Sequence, residues 1–156
     1  MKKRLLFVCL GNICRSPSAE AVMNGYIKTN QLNDKFECDS AGTAGWHTGN
    51  KADERMRKHA LQRNYNLTSL ARKFDAEIDF DKFDLIFGMD QQNVKELKAL
   101  ARNKADLNKI KLITNYCSRY SNYQSVPDPY YGGDEGFELV LDIIEDACEN
   151  LLKELT

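Results

Sequence analysis

Cys9-Leu10-Gly11-Asn12-Ile13-Cys14-Arg15-Ser16 is the segment on which the architecture of this chain turns. The apolar run before it, Leu5-Leu6-Phe7-Val8, reads as a short buried strand. Ser16-Pro17 reads as a helix start, because Ser is a good N-cap and Pro is tolerated at the first helical position. A strand, a tight loop and a helix in that order make an anion site. Backbone N–H groups of the loop and first helical turn lack intrahelical partners and sit at the positive end of the helix dipole, so an oxyanion meets a ring of donors. Gly11 allows close backbone approach, and Asn12 tolerates the left-handed conformation such a loop needs. Arg15 adds a planar fork that binds two phosphate oxygens at once. The expected phosphate-binding residues are therefore Leu10, Gly11, Asn12, Ile13, Cys14, Arg15 and Ser16. Cys9, at the strand end, directs its sulfur into the same bowl, where donors that hold an anion also favour a thiolate. A thiolate under a phosphate is a nucleophile toward phosphorus.

Working outward, 156 residues suit one domain over 1–156, large enough to bury about 70% of its unfolded surface. A net charge of −1 with mixed acids and bases gives no electrostatic case for nucleic acid or membrane partners. Five irregularly spaced cysteines argue against a disulfide framework and for a reducing, cytoplasmic setting. Cys9 and Cys14 have no neighbouring Cys or His pair to complete a zinc site, so neither a metal nor a cofactor is expected. Lys2-Lys3-Arg4 followed by Leu5 to Leu10 mimics a signal peptide, but the apolar core is short and ends at Gly11-Asn12, so it is read as the first strand.

Ala19, Val22, Met23 and Tyr26 fall at helical spacing from Ser16 onward. Phe36 to Ala41 reads as a second strand closed by Gly42, 43–50 as a loop, and Lys51 to Arg63 as a charged helix. Tyr65 to Asp84 is mixed and acidic, with Asp75, Glu77, Asp79 and Asp81 read as a solvated face. Asp84 to Met89 reads as a third strand, Asp90 to Ala101 as a helix with Val94, Leu97 and Leu100 inward, and Lys109 to Thr114 as a fourth strand. The last helix runs from about Asp134 to Leu155, with Phe137, Val140, Leu141, Ile144, Cys148, Leu151 and Leu152 on one face. Strands separated by helices imply an α/β fold, a parallel sheet with helices on both faces and a ligand beyond the carboxyl ends of the strands.

Cys-x5-Arg-Ser with the fill Leu-Gly-Asn-Ile-Cys, directly after the first strand, resembles the phosphate loop of the low-molecular-weight protein tyrosine phosphatases. The resemblance runs from Leu5 to the final helix and implies a four-stranded sheet of order 2-1-3-4, which local pattern does not determine. It also implies a metal-independent hydrolase that takes phosphotyrosine proteins through a cysteinyl-phosphate, with Cys9 and Arg15 as catalytic residues.

Such a reaction needs an acid, because the leaving phenol must be protonated as the P–O bond breaks. Asp128 between Pro127 and Pro129 is the candidate; taken alone Pro-Asp-Pro is a turn, but the family places an Asp-Pro pair here for this work. Ser16 can cap the helix and also hydrogen-bond the Cys9 sulfur, the role the family gives the Ser of its motif. Asn12 resembles the residue that holds the loop shape from behind, and Ser40 matches one of its partners. A second partner, a His in the family, falls at Ser69, so this chain departs from the family pattern there. Trp46, His47, Tyr130 and Tyr131 are expected at the substrate, where aromatic walls suit a phosphotyrosine ring. His47 and His59 are not expected to act as bases. Cys14 is either a resolving thiol for an oxidised Cys9 or a small buried residue.

Three other functions share parts of this pattern. Arsenate reductases of this fold need further redox cysteines, and 75–95 contain none. Protein arginine phosphatases typically carry Thr where this chain has Ile13. A silent phosphotyrosine-binding module is disfavoured by the presence of Cys9, Arg15 and Asp128 together. Nothing in the pattern sets the oligomeric state; a monomer with weak self-association through exposed aromatics is the expectation.

Overall fold

The computed structural model of the chain describes residues 1–129 and 133–156. Elements follow in the order β1 (Lys3–Cys9), α1 (Arg15–Thr29), β2 (Phe36–Gly42), α2 (Glu54–Leu61), α3 (Ala76–Lys82), β3 (Leu85–Gly88), α4 (Gln91–Leu100), α5 (Lys104–Lys109), β4 (Ile110–Leu112), a 3-10 turn (Ile113–Tyr116) and α6 (Asp134–Leu155). The strands form one sheet of order β2-β1-β3-β4, and every pairing is parallel.

Leu5, Leu6, Phe7 and Val8 are all fully buried, as an unbroken apolar run must be when both faces of its strand are covered. Alternation then divides them. Leu5 and Phe7 join the core built with α1 and α6, while Leu6 and Val8 join Phe80, Phe83, Ile86 and Leu97 on the opposite face. The connection from β1 leads to β2 on one side, and the next returns across the sheet to β3 on the other. The carboxyl end of β1 is therefore the point where the winding reverses and a crevice opens.

Several expectations need correction. The charged helix is shorter than 51–63, because Lys51 bridges Leu70 and Asp53 caps, accepting from the N–H groups of Arg55 and Met56. The acidic segment is not simply a solvated face. Asp75 caps α3, and Asp79 is buried, paired with Arg72 at 3.0 Å and accepting from Asp75 N at 2.7 Å. Helix α5 was not foreseen, and it shortens β4 to Ile110–Leu112. On α4 Leu97 is buried, but Leu100, in the last turn, is 44% exposed. The apolar face of α6 is buried at all seven expected positions, Phe137, Val140, Leu141, Ile144, Cys148, Leu151 and Leu152. Among the described residues no helix is long and apolar enough to cross a membrane.

Candidate active site

The loop after β1 is held from outside by its carbonyls. Thr43, Ala44 and Asp53 donate their N–H groups to the carbonyls of Cys9, Leu10 and Ile13, at 2.9, 2.9 and 2.8 Å. In a planar trans peptide the N–H opposes the C=O, so the N–H groups of Leu10, Gly11 and Cys14 are turned inward. Asn12 makes the sharp bend with φ 58°, the left-handed conformation its residue type tolerates. Gly42 must lack a side chain, because a Cβ there would stand 2.8 Å from the Leu10 carbonyl oxygen.

Helix α1 begins at Arg15, and its N-cap residue, Cys14, makes no side-chain cap bond, so Ser16 is not the cap that was expected. The reason is that its hydroxyl is occupied elsewhere. Ser16 Oγ lies 3.0 Å from Cys9 Sγ, accepts from Asn12 Nδ2 at 2.8 Å, and stands 3.3 Å from the Ala41 carbonyl.

These bonds have a polarity that can be derived. The Glu20 carboxylate only accepts, so Ser40 Oγ donates to it at 2.6 Å. Ser40 then accepts from Asn12 Nδ2 at 3.0 Å, while Asn12 Oδ1 accepts from Arg72 N at 3.0 Å, which orients the amide. The Ser16 hydroxyl, already accepting from that amide, directs its own hydrogen to Ala41 or to the Cys9 sulfur. Burial pushes the Glu20 carboxyl above its usual range, and the bonds from Ser40 and Ser69 oppose that rise. Ser69 thus still reaches the network, and Ser40 meets Glu20 directly.

Arg15 is 5% exposed. Its Nη1 donates to Asp90 Oδ2 at 2.6 Å and to the Val126 carbonyl at 3.1 Å. Burial works against its charge, but Cys9, Asp90 and Asp128 outweigh that and raise its pKa above the usual value. Burial, then Asp53 and Cys9, push the Cys14 thiol up to about 12, so Cys14 is a protonated thiol at rest. All five cysteines are free.

Above the loop lies a cavity of about 180 Å³ lined by Cys9, Leu10, Gly11, Ile13, Cys14, Arg15, Trp46, His47 and Asp128. The fold thus gathers residues from three separate segments of the chain. Trp46 is 74% exposed, and the His47 ring lies 3.0 Å from where a Gly11 Cβ would be. The side chains of Asn12, Ser16 and Ser40 lie behind the loop and are buried. Tyr130 and Tyr131, also expected at the substrate, lie outside the described residues. His59 is away from the cavity, bound between Glu138 and Asp134 and stacked on Phe137. No cluster of three His, Cys, Asp or Glu side chains suited to a metal ion occurs among the described residues.

Two residues that brace the site, Asp90 and Glu20, are not among those the sequence points to. Asp90 was visible as a helix start, and it does form a capping box with Asn93, but nothing local shows that its other oxygen meets Arg15. Glu20 lies four residues after Ser16 on α1, a spacing that places both on one helix face and could have been noticed.

A family model described as low molecular weight phosphotyrosine protein phosphatase matches residues 4–156. A low molecular weight protein-tyrosine-phosphatase of Streptomyces coelicolor is 40% identical over 153 residues, covering 97% of this chain and 93% of the relative. The crystal structure of a protein tyrosine phosphatase from Entamoeba histolytica, with Hepes in its active site, superposes with TM-score 0.95 at 48% identity, over 99% of this chain and 97% of that one. A Drosophila arginine phosphatase superposes with TM-score 0.90 at 33% identity, over 100% of this chain and 98% of that one.

Proposed function

The chain belongs to the low molecular weight phosphotyrosine protein phosphatase family, and from that premise we propose that it hydrolyses phosphotyrosine in proteins, and small aryl phosphates, through a phosphocysteine. The observation that carries the reading is the Cys9 sulfur at the floor of a cavity whose other walls hold Arg15 and Asp128.

In the first step the Cys9 thiolate attacks phosphorus and the P–O bond to the aryl group breaks. Asp128 gives its proton to the departing phenoxide. The inward N–H groups and the remaining N–H donors of Arg15 hold the equatorial oxygens, and Asp90 keeps the guanidinium in place. In the second step water attacks the phosphocysteine, Asp128 takes its proton, and the thiolate leaves with release of inorganic phosphate. Ser16, at 3.0 Å from the sulfur, stabilises the thiolate by donating its hydrogen as the S–P bond breaks. No metal takes part.

Trp46 and His47 at the cavity rim suit an aromatic leaving group, and the buried position of Cys9 favours the longer phosphotyrosine over phosphoserine. Ile13, where arginine phosphatases typically carry Thr, favours tyrosine over arginine. The setting we propose is the cytoplasm, where five free thiols remain reduced.

The test is turnover by the reduced protein, without metal, on matched phosphotyrosine, phosphoserine and phosphoarginine peptides. Selective release of phosphate from phosphotyrosine is expected, unchanged by EDTA and lost in Cys9→Ser. A preference for phosphoarginine, or substantial activity in Cys9→Ser, would overturn the reading.

A further inference from the structure

A second cavity, of about 430 Å³, adjoins the first. It shares Leu10, Arg15 and Asp128 with the cavity over Cys9, and its far wall is made by Gln91 and Gln92, in the first turn of α4, and by Ser125. We propose that this cavity is a subsite for the main chain of the phosphopeptide beside its phosphotyrosine. The inference rests on the phosphotyrosine reading above.

Its position follows from the chemistry. Asp128 has to reach the phenolic oxygen, so the tyrosyl ring leaves the phosphate past Asp128. The peptide backbone, one side chain's length further out, emerges at that rim, and Asp128 lines both cavities. One flank of the peptide then crosses toward Trp46 and His47, and the other enters the second cavity.

Its chemistry follows from the lining. Gln91 Nε2 donates to Gln124 Oε1 at 3.3 Å, and Gln92 Nε2 donates to Glu96 Oε1 at 3.1 Å. Each amide keeps a carbonyl oxygen and a second N–H for a ligand. A peptide unit carries the matching pair, one N–H and one C=O. The ionisable groups of the lining select no charged side chain: Arg15 and Asp90 are bonded to each other, and Asp128, the other ionisable group among the described lining residues, carries its proton when the phosphotyrosine arrives. The class recognised is therefore uncharged backbone, read without regard to sequence.

The floor is also held in place before any ligand arrives. Gln91 N donates to Ser125 Oγ at 3.1 Å and Val126 N to the Met89 carbonyl at 2.8 Å, while the Asp90–Asn93 capping box fixes the turn that carries both glutamines. The main chain that carries the two glutamines is therefore set before a ligand arrives, and binding has only their exposed side chains to order.

The experiment compares wild type with a Gln91→Ala/Gln92→Ala double variant, in which the helix keeps its cap and gains two good helix formers. Substrates are phenyl phosphate and a blocked Ala-Ala-phosphotyrosine-Ala-Ala peptide, which offers backbone without informative side chains. The ratio of kcat/KM for the peptide to that for phenyl phosphate is expected to fall about tenfold in the variant, the loss of two ordinary hydrogen bonds. N-methylating one flanking amide of the peptide removes one of those two bonds, so a loss of about threefold is expected in wild type and little change in the variant. In parallel, the Kd of the same peptide is measured on Cys9→Ser with and without the two substitutions, and a weakening of about tenfold is expected. An unchanged kcat/KM ratio, or a Kd that moves less than twofold, overturns the subsite. Absence of turnover on both substrates in wild type would instead overturn the catalytic reading, and the binding comparison, which needs no turnover, still decides the subsite.

Discussion

Replacing Asp146 by Asn removes one buried charge that lines neither cavity, at a cost set by the donors around it. Asp146, on α6, is 2% exposed. Its carboxylate accepts from the backbone N–H groups of Ser118, Arg119 and Tyr120 at 3.0, 2.9 and 2.9 Å. It accepts also from Ser118 Oγ at 3.1 Å and Asn150 Nδ2 at 3.2 Å. These bonds tie down the segment that leads on to Pro127-Asp128-Pro129. Asn keeps the shape and one carbonyl oxygen, but turns a second acceptor into a donor facing donors. Hydrogen bonds to a charged group contribute about 1.5–3 kcal/mol each, and a buried donor left unmet costs about 1–3 kcal/mol. Because one carbonyl still serves some of the donors, the expected loss is about 3–4 kcal/mol, a large share of a typical 5–15 kcal/mol. Arg119, at 3.5 Å but 63% exposed, adds little to that figure. Urea unfolding at pH 7 measures it, as a lower midpoint at unchanged slope. The pH dependence has a definite sign. Burial raises the Asp146 carboxyl, but the Tyr120 N–H, Ser118 hydroxyl and Arg119 outweigh it and hold the group below its ordinary value. An acid depressed in the folded state contributes stability that is complete above its unfolded pKa, about 3.9, and lost as pH falls through the lower folded value. The gap between wild type and Asp146→Asn is therefore full at pH 6–7 and narrows below about pH 4. A loss under about 1 kcal/mol at pH 7, or a gap that stays constant on acidification, would refute the reasoning.

Ser40→Ala cuts the link from Glu20 to Asn12; kcat is expected to fall about tenfold and stability by about 1–2 kcal/mol, read from steady-state kinetics and urea unfolding. An unchanged kcat would show that the polarity of these bonds does not matter to the sulfur. Asp128→Asn should lower kcat about a hundredfold on phenyl phosphate and much less on para-nitrophenyl phosphate, whose leaving group has less need of a proton. Equal losses on the two esters would assign Asp128 a different role. Gly42→Ala would set a Cβ 2.8 Å from the Leu10 oxygen and 3.0 Å from that of Ala44. A stability loss of about 2 kcal/mol and weaker protection by phosphate in thermal unfolding are expected; an unshifted melting curve would mean that the loop yields freely.

The parts of the site that lie close together in the chain were legible. Cys9 to Ser16 carries its own meaning because strand, bend and helix start are all local, and the fold turns their peptides as the residue types imply. Asp128 was legible through its prolines and the family resemblance, and it does line the cavity over Cys9. Asp90 was not: its partner Arg15 is 75 residues away, and a helix-capping Asp looks the same whether its second oxygen meets water or a guanidinium. Asp79 misled for a different reason: Arg72 is only seven residues away, but an acidic run reads as solvated until the fold buries one of its carboxylates against that guanidinium. The short helices α3 and α5, of seven and six residues, are too brief for periodicity to announce.

The strand-loop-helix anion site, the buried face of α6 and the alternation of strands with helices are legible in the chain alone, because each depends on residues within a few turns of one another. Which carboxylate holds Arg15, how Ser40 links Glu20 to Asn12 and so to Ser16, and where Asp128 stands between two adjoining cavities come from the folded arrangement alone. Those contacts join segments 20 to more than 100 residues apart. They are set by sheet order and helix packing, and no local preference of the chain encodes them.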